Sequence, residues 1–303
     1  MLRGDDMSVF KGAAVAIITP FHDDADKTIN YDVFADLIDY QIEHGTDAIV
    51  VCGSTGEAAT MTEEEHLAAC RFVIDYVKKR VPVIAGTGSN CTRTAIELSR
   101  EVAGYGADAL LLVTPYYNKG TQEGMYRHFR SVAQEVPDTD IILYNVPSRT
   151  GGNILPATVA RLVRDVPNIT GIKEASGNIS QIVELMTDTD GKIELYSGND
   201  DQVVPLMSMG GLGVISVVSN IAPQAMHDLC AKFFAGDIAG AAKLQRDTHA
   251  LFKNLFSEVN PIPVKKAVNL LGFNAGPLRM PLTEMSEDAA QELKKAMEAF
   301  GLI

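Results

Sequence analysis

A lysine closes one of the most strand-like runs in this chain. In "NITGIKEASG", residues 168–177, Ile169, Thr170 and Ile172 are β-branched and Gly177 ends the run. Lysine is depleted in strands and is rarely buried without a partner. Lys173 therefore has two readings. A lysine desolvated inside a barrel has a lowered pKa, because burial disfavours the charged form. Neutral at working pH, it attacks a ketone and forms a Schiff base. The protonated imine is an electron sink, so the neighbouring carbon can lose a proton and become a nucleophile. In the other reading Lys173 pairs with Glu174 or snorkels outwards. Adjacent strand residues point to opposite faces, which disfavours that pair.

Other residues offer chemistry of their own. "GSTGEAAT" (53–60) suits an anion. Gly53 and Gly56 let the backbone turn tightly and approach a ligand. N–H groups near a helix start, with the Ser54 and Thr55 hydroxyls, suit a carboxylate. A plain strand-to-helix turn would use the same residues. Tyr116 and Tyr117 in "TPYYN" are either packed aromatics or the source of a proton-relaying phenol. Tyr144 stands at a strand end and points inwards if its parity is right. Arg149 is either a solvated loop residue or a fork for a substrate carboxylate. Asp200 and Asp201 either ligate a cation or, as preferred, begin a helix. His22, His44, His66, His128, His227 and His249 form no H-x-H or H-E-x-x-H pair, so no metal is expected. No Ser-His-Asp arrangement is apparent.

These residues need elements to position them. Short apolar runs at 13–18, 47–51, 82–86, 108–113, 141–145, 169–175, 193–197 and 213–217 are near-continuous, which reads as strands buried on both faces. Helical patterns lie between them. In "MTEEEHLAACRFVIDYVKKR", Thr62 and Glu65 form a capping-box signature. Leu67, Cys70, Ile74 and Val77 recur at helical spacing, and Lys78, Lys79 and Arg80 sit where the helix dipole favours cations. Eight β/α units in series predict an α/β fold, a (β/α)8 TIM barrel, whose chemistry gathers at the C-terminal strand ends. Further helical patterns follow at 237–257, 261–271 and 286–299. The expected organisation is a loose extension at 1–8, the barrel at 9–235 and a C-terminal helical segment at 236–303. A doubly wound open sheet would carry a glycine-rich loop after its first strand; "TPFHDDAD" has no glycine.

Composition narrows the partners. The 303 residues are 46% hydrophobic and 21% charged, enough for a large core. A formal charge of −13 repels phosphate backbones, so nucleic acid is not an expected partner. An anionic substrate would need local basic residues or aimed N–H groups. Cys52, Cys70, Cys91 and Cys230 are scattered and read as reduced cytosolic thiols. No apolar run approaches the ~20 residues of a membrane span. "MLRGDDMSVF" lacks the apolar stretch of a signal peptide. A cytoplasmic protein is expected, with Met7 as an alternative start to Met1.

In this order and on these strand ends, "GSTGE", "AGTGSN", "TPYYNKGTQEGMYRHF", "YNVPSRTG", "GIKEASGN", "SGNDD" and "GVISV" resemble the dihydrodipicolinate synthase family, within the superfamily of pyruvate-dependent Schiff-base lyases and aldolases. The resemblance runs from about Val9 over essentially the whole chain. It implies condensation of pyruvate with L-aspartate 4-semialdehyde, the branch step toward diaminopimelate and lysine, with no metal or organic cofactor. By resemblance Lys173 is the Schiff-base lysine and Tyr144 the phenol beside it. Ser54 is the hydroxyl linking Tyr144 to Tyr117, which in relatives enters the neighbouring subunit's active site. Thr55 holds the pyruvate carboxylate, Arg149 grips the semialdehyde carboxylate, and Gly198 and Ile215 line the pocket. A homotetramer built as a dimer of dimers is the usual assembly. The chain departs from the family's usual "GTTGE" at Ser54, which keeps the hydroxyl and loses the stiffening methyl. "GSTGE" is also similar to the N-acetylneuraminate lyase branch, which leaves another pyruvate-type lyase, a keto-deoxy-sugar-acid aldolase or a hydroxy-oxoglutarate aldolase as the alternative. "PSRTG" favours the synthase.

In lysine-inhibited relatives an allosteric pocket uses a serine, two histidines, an asparagine, a glutamate and a tyrosine. The matching positions are Ala58, Glu63, His66, Asn90, Thr94 and Tyr116, and three of them depart. The change to Thr94 removes a partner for the effector's ammonium. Millimolar lysine is expected to leave the initial rate at saturating pyruvate nearly unchanged; a halved rate would contradict this reading.

Overall fold

The structure, a computed structural model, describes residues 8–303. Residues 1–7, which hold Met7 and nearly all of the expected extension, lie outside the described residues. The strands are β1 (Gly12–Ala16), β2 (Ala48–Val51), β3 (Val83–Gly86), β4 (Ala109–Val113), β5 (Asp140–Asn145), β6 (Ile169–Glu174), β7 (Glu194–Ser197) and β8 (Gly213–Ser216). They pair in sequence order as a closed barrel. A helix separates each pair of successive strands, and four more follow residue 237. This is the expected (β/α)8 barrel with C-terminal helices. Its strands are buried almost throughout, as the unbroken apolar runs require.

By internal contacts the chain divides into two compact units. One comprises Pro82–Ile215 with the described residues before Gly12. Its ladder fixes the neighbours of Lys173: Tyr144 on β5 and Tyr196 on β7 are its register partners. An irregularity at Ile141/Ile142 shifts the β5–β6 register just below them. Phe10 stacks on Tyr196 at 4.2 Å between ring centroids and accepts the phenol's hydrogen bond at 2.8 Å, while Val9 N–H reaches Glu194.

The other unit comprises Gly12–Val81 and Ser216–Ile303. β1 stops at Ala16, short of the expected residue 18. The reason is a side chain: Asn220 takes the Ile18 N–H on its Oδ1 at 3.1 Å and donates from Nδ2 to the Ala16 carbonyl. The helix Glu63–Val77 carries the full capping box, Thr62 with Glu65. Its buried face is His66, Ala69, Cys70, Val73, Ile74 and Val77, with Leu67 only half-buried. The expected 237–257 helix is two helices, Ile238–Asp247 and His249–Leu255. At the break, the Thr248 hydroxyl bonds back to the Leu244 carbonyl at 2.9 Å, a habit that bends helices.

Candidate active site

Lys173 is buried, with 6% of its surface exposed. Its Nζ lies 4.5 Å from the centroid of the Tyr144 ring, on the neighbouring strand. Cross-strand register partners share a face, so Tyr144 and Lys173 stand on the same side of the sheet. Burial drives the amine down to about 8 from 10.5; the Asp200 carboxylate pulls the other way and the Arg149 guanidinium reinforces burial. The same burial pushes the Tyr144 phenol up to about 12, against a smaller opposing pull from Arg149. The pair at neutral pH is thus an amine with an accessible neutral form beside a phenol that keeps its proton.

Glu174 is not the partner of Lys173. Its carboxylate accepts the Ser176 N–H at 2.6 Å and the Asn145 amide at 3.1 and 3.3 Å. Asn145 also donates to Asn153, which donates to Gln181. This chain of amides ties the ends of β5 and β6 together behind the Tyr144–Lys173 face. After β7, Gly198 gives the lysine its room. A Cβ there would lie 3.1 Å from Lys173 Cε, 2.7 Å from Ala175 Cβ and 3.2 Å from the Glu174 carbonyl. Ile215 on β8 is fully buried.

Arg149 sits on a four-residue helix, Pro147–Thr150, which begins on proline and ends on Gly151 at φ 70°. Proline presets the first turn and glycine takes the left-handed exit without a Cβ penalty. The Thr150 carbonyl at its end accepts the Tyr117 N–H at 3.0 Å. Tyr117 is 88% exposed and holds φ at 71°, unusual for a bulky residue. Asp200 begins a short 3-10 helix, Asp200–Gln202, as preferred for it.

In the second unit, the turn after β2 holds Ser54 and Thr55. Its left-handed residues are Cys52 (φ 54°) and Glu57 (φ 56°), not the two glycines. A Cβ on Gly53 would meet nothing within 4 Å, whereas one on Gly56 would lie 3.1 Å from the Ile17 carbonyl. The close approach that needs glycine is thus to protein backbone. Gly56, Glu57 and Ala58 donate their N–H groups to the Gly53 and Ser54 carbonyls within the turn. Thr55 is buried, and its hydroxyl accepts from Asn260 Nδ2 at 2.9 Å, which leaves its own hydrogen free to donate.

Glu57 anchors this turn. Its Oε1 meets Lys265 Nζ at 2.5 Å and its Oε2 accepts the Arg279 N–H at 3.1 Å. Lys265 also donates to the Pro277 carbonyl, and its amine stands 4.0 Å over the Phe21 ring. The Arg279 guanidinium lies 4.3 Å from the same ring and grips Glu65 through two bonds of 2.6 and 2.8 Å.

Two buried lysines therefore share a depressed pKa, since burial, opposed by Glu57, also brings Lys265 to about 8. Their surroundings separate them. Lys265 is committed to a carboxylate; Lys173 has no ion-pair partner among the described residues. Sequence reasoning singled out Lys173 and Tyr144. It missed Asn260 and the Glu57–Lys265–Arg279 set, whose members are scattered along the chain. The "NPIPVK" run, unusual in placing a lysine after two prolines, was the available signal.

Comparison with known proteins finds relatives over nearly the whole chain. Residues 9–300 match the Dihydrodipicolinate synthetase family. A 4-hydroxy-tetrahydrodipicolinate synthase of Lachnoclostridium phytofermentans is 57% identical, across 98% of this chain and 100% of its own. A solved dihydrodipicolinate synthase structure superposes with a TM-score of 0.94 at 46% identity, covering 97% of this chain and all of that one. A chloride-inhibited dihydrodipicolinate synthase from Acinetobacter baumannii, solved in complex with pyruvate, gives a TM-score of 0.93 at 43% identity, covering 97% and 99%.

Breaking a buried ion pair by removing one partner typically costs about 3–5 kcal/mol, because the other charge stays buried and unpaired. Glu57→Gln is expected to lower stability by that order in urea unfolding. The exposed pair Arg71–Asp75, with both side chains 65% exposed, is the control: Asp75→Asn should cost less than about 1 kcal/mol. Equal costs for the two variants would remove the anchoring role given to Glu57.

Proposed function

We propose a mechanism on one premise: the chain belongs to the dihydrodipicolinate synthetase family. Its reaction is the condensation of pyruvate with L-aspartate 4-semialdehyde, a step of lysine and diaminopimelate biosynthesis, and it is a lyase that works through a Schiff base. The observation that carries the mechanism is the buried Lys173 amine, with no ion pair among the described residues, against the Tyr144 ring.

Pyruvate binds first. The neutral Lys173 amine attacks the keto carbon, and the carbinolamine loses water to give the imine. Tyr144 supports both steps: a phenol raised to about 12 keeps its proton and can donate it to the departing hydroxyl. The protonated imine draws electrons from the methyl carbon, which gives a proton to the Tyr144 phenolate and becomes an enamine, so the phenol is restored. That carbon attacks the aldehyde. The Tyr144 phenol protonates the resulting alkoxide, and the amine that the semialdehyde carries, or water, then adds to the imine carbon, displaces the Lys173 amine and frees the product. The iminium is itself the electron sink, so the proposed route needs neither metal nor organic cofactor.

Substrate roles follow the resemblance and the local chemistry. Thr55, with its hydroxyl oriented by Asn260, holds the pyruvate carboxylate. Arg149 grips the semialdehyde carboxylate as a two-pronged donor. Gly198 and Ile215 line the pocket. Ser54 relays protons between Tyr144 and Tyr117, the latter supplied by a neighbouring copy. The exposure and left-handed backbone of Tyr117 support that last role. The chain accordingly acts as a homo-oligomer, a dimer of dimers. No helix among the described residues is long and apolar enough to cross a membrane, and we place the enzyme in the cytoplasm.

Lys173→Ala is expected to lower turnover in a coupled assay by about 10³-fold or more. Arg149→Ala should lose about 10²-fold in kcat/KM for the semialdehyde while the KM for pyruvate moves less than about three-fold. Near-normal turnover by the lysine variant would remove Lys173 from the mechanism. A matched loss for both substrates would take Arg149 away from the semialdehyde.

A further inference from the structure

The mechanism uses no cysteine, yet two of the four meet a histidine in the core. Cys52 is the first residue after β2; His66 and Cys70 lie four residues apart on one face of the helix Glu63–Val77. They are 3%, 8% and 0% exposed. Their ligand atoms all lie within 4.8 Å of one another. Some point then lies within about 2.8 Å of all three, against roughly 2.3 Å for Zn–S and 2.0–2.1 Å for Zn–N bonds. Closing the remaining gap takes shifts well under an ångström at each atom.

We propose that Cys52, His66 and Cys70 form a binding site for one thiophilic divalent d10 cation of the zinc class. Charge selects the valence. Two thiolates, a neutral imidazole and a divalent ion sum to zero, whereas a monovalent ion would leave a net charge buried at high cost. Thiolate and imidazole together select zinc-class ions over magnesium or calcium. Binding exchanges the two thiol protons for the cation and releases them to solvent. The Cys52 thiol points to the His66 carbonyl at 3.7 Å, so it already faces the helix that carries the other two ligands.

The backbone supplies a second observation. Cys52 holds φ at 54°, a region that a residue with a Cβ seldom occupies and that clusters at functional positions. This conformation aims its sulfur at the helix instead of continuing the strand. Gly53, Ser54 and Thr55 follow directly, so an ion here would staple the start of their turn to the helix Glu63–Val77.

The test uses reduced, chelator-treated full-length protein titrated with cadmium chloride, a spectroscopic zinc analogue. Cys91→Ser/Cys230→Ala leaves only Cys52 and Cys70 as thiols. The expected result is one cadmium per chain by native mass spectrometry, with an ultraviolet cadmium–thiolate band, in both the wild type and this double variant. Cys70→Ser and, independently, Cys52→Ser should each weaken binding at least about a hundred-fold and reduce the band. Zinc chloride should compete for the same site. Absence of the band from the double variant overturns the proposal, as does a band that survives in both single serine variants.

Discussion

The structure turns on the removal of one amine from water. A charged lysine is stable in solvent and poorly tolerated in a core, so burying Lys173 shifts its equilibrium towards the neutral base. The shift is moderate because Asp200 stabilises the charged form while Arg149 opposes it. That balance serves Schiff-base chemistry, which needs a free lone pair to attack and a positive charge once the imine has formed. Lys265 shows that burial alone is insufficient: it reaches a similar value but is held by Glu57 at 2.5 Å. Burial without a salt-bridging carboxylate among the described residues distinguishes Lys173 from Lys265.

Keeping the amine in place falls to ordinary backbone constraints. Strand register puts Tyr144 beside it, the Glu174–Asn145–Asn153 bonds hold the two strand ends, and the missing Cβ of Gly198 leaves space for its stem. None of these contacts is chemically exotic. Together they fix the ring-to-amine distance on elements of the scaffold instead of on loops, which is where precise geometry is best kept. The more exposed residues, Arg149 and Tyr117, sit on segments that share the Thr150 carbonyl region, so the two are positioned jointly.

Much of this was legible in the sequence for a physical reason. Strands buried on both faces must be apolar almost throughout, so eight short runs separated by helical patterns announced the barrel, and a lysine in such a run stood out. The ends were less legible. β1 stops early because Asn220, some 200 residues on, intercepts its ladder. The same distance in sequence hid the Glu57–Lys265–Arg279 anchor and the Asn260–Thr55 bond, since spacing reveals only local partners. The glycines of "GSTGE" told only part of the story: they were read as letting the backbone turn tightly and approach a ligand, while the left-handed backbone lies at Cys52 and Glu57 and the close approach of Gly56 is to the Ile17 carbonyl.

The central claim is that Lys173, and not the other buried lysine, carries a neutral amine that bonds a keto acid. Its most direct test is borohydride trapping of the pyruvate adduct across a pH series, with peptide mass mapping of the reduced product. The adduct should map to the peptide containing Lys173, and its initial trapping rate should rise with pH through a midpoint near 8 and level off above it. An adduct on Lys265, no adduct, or a rate still climbing towards the ordinary lysine value of 10.5 would contradict the account.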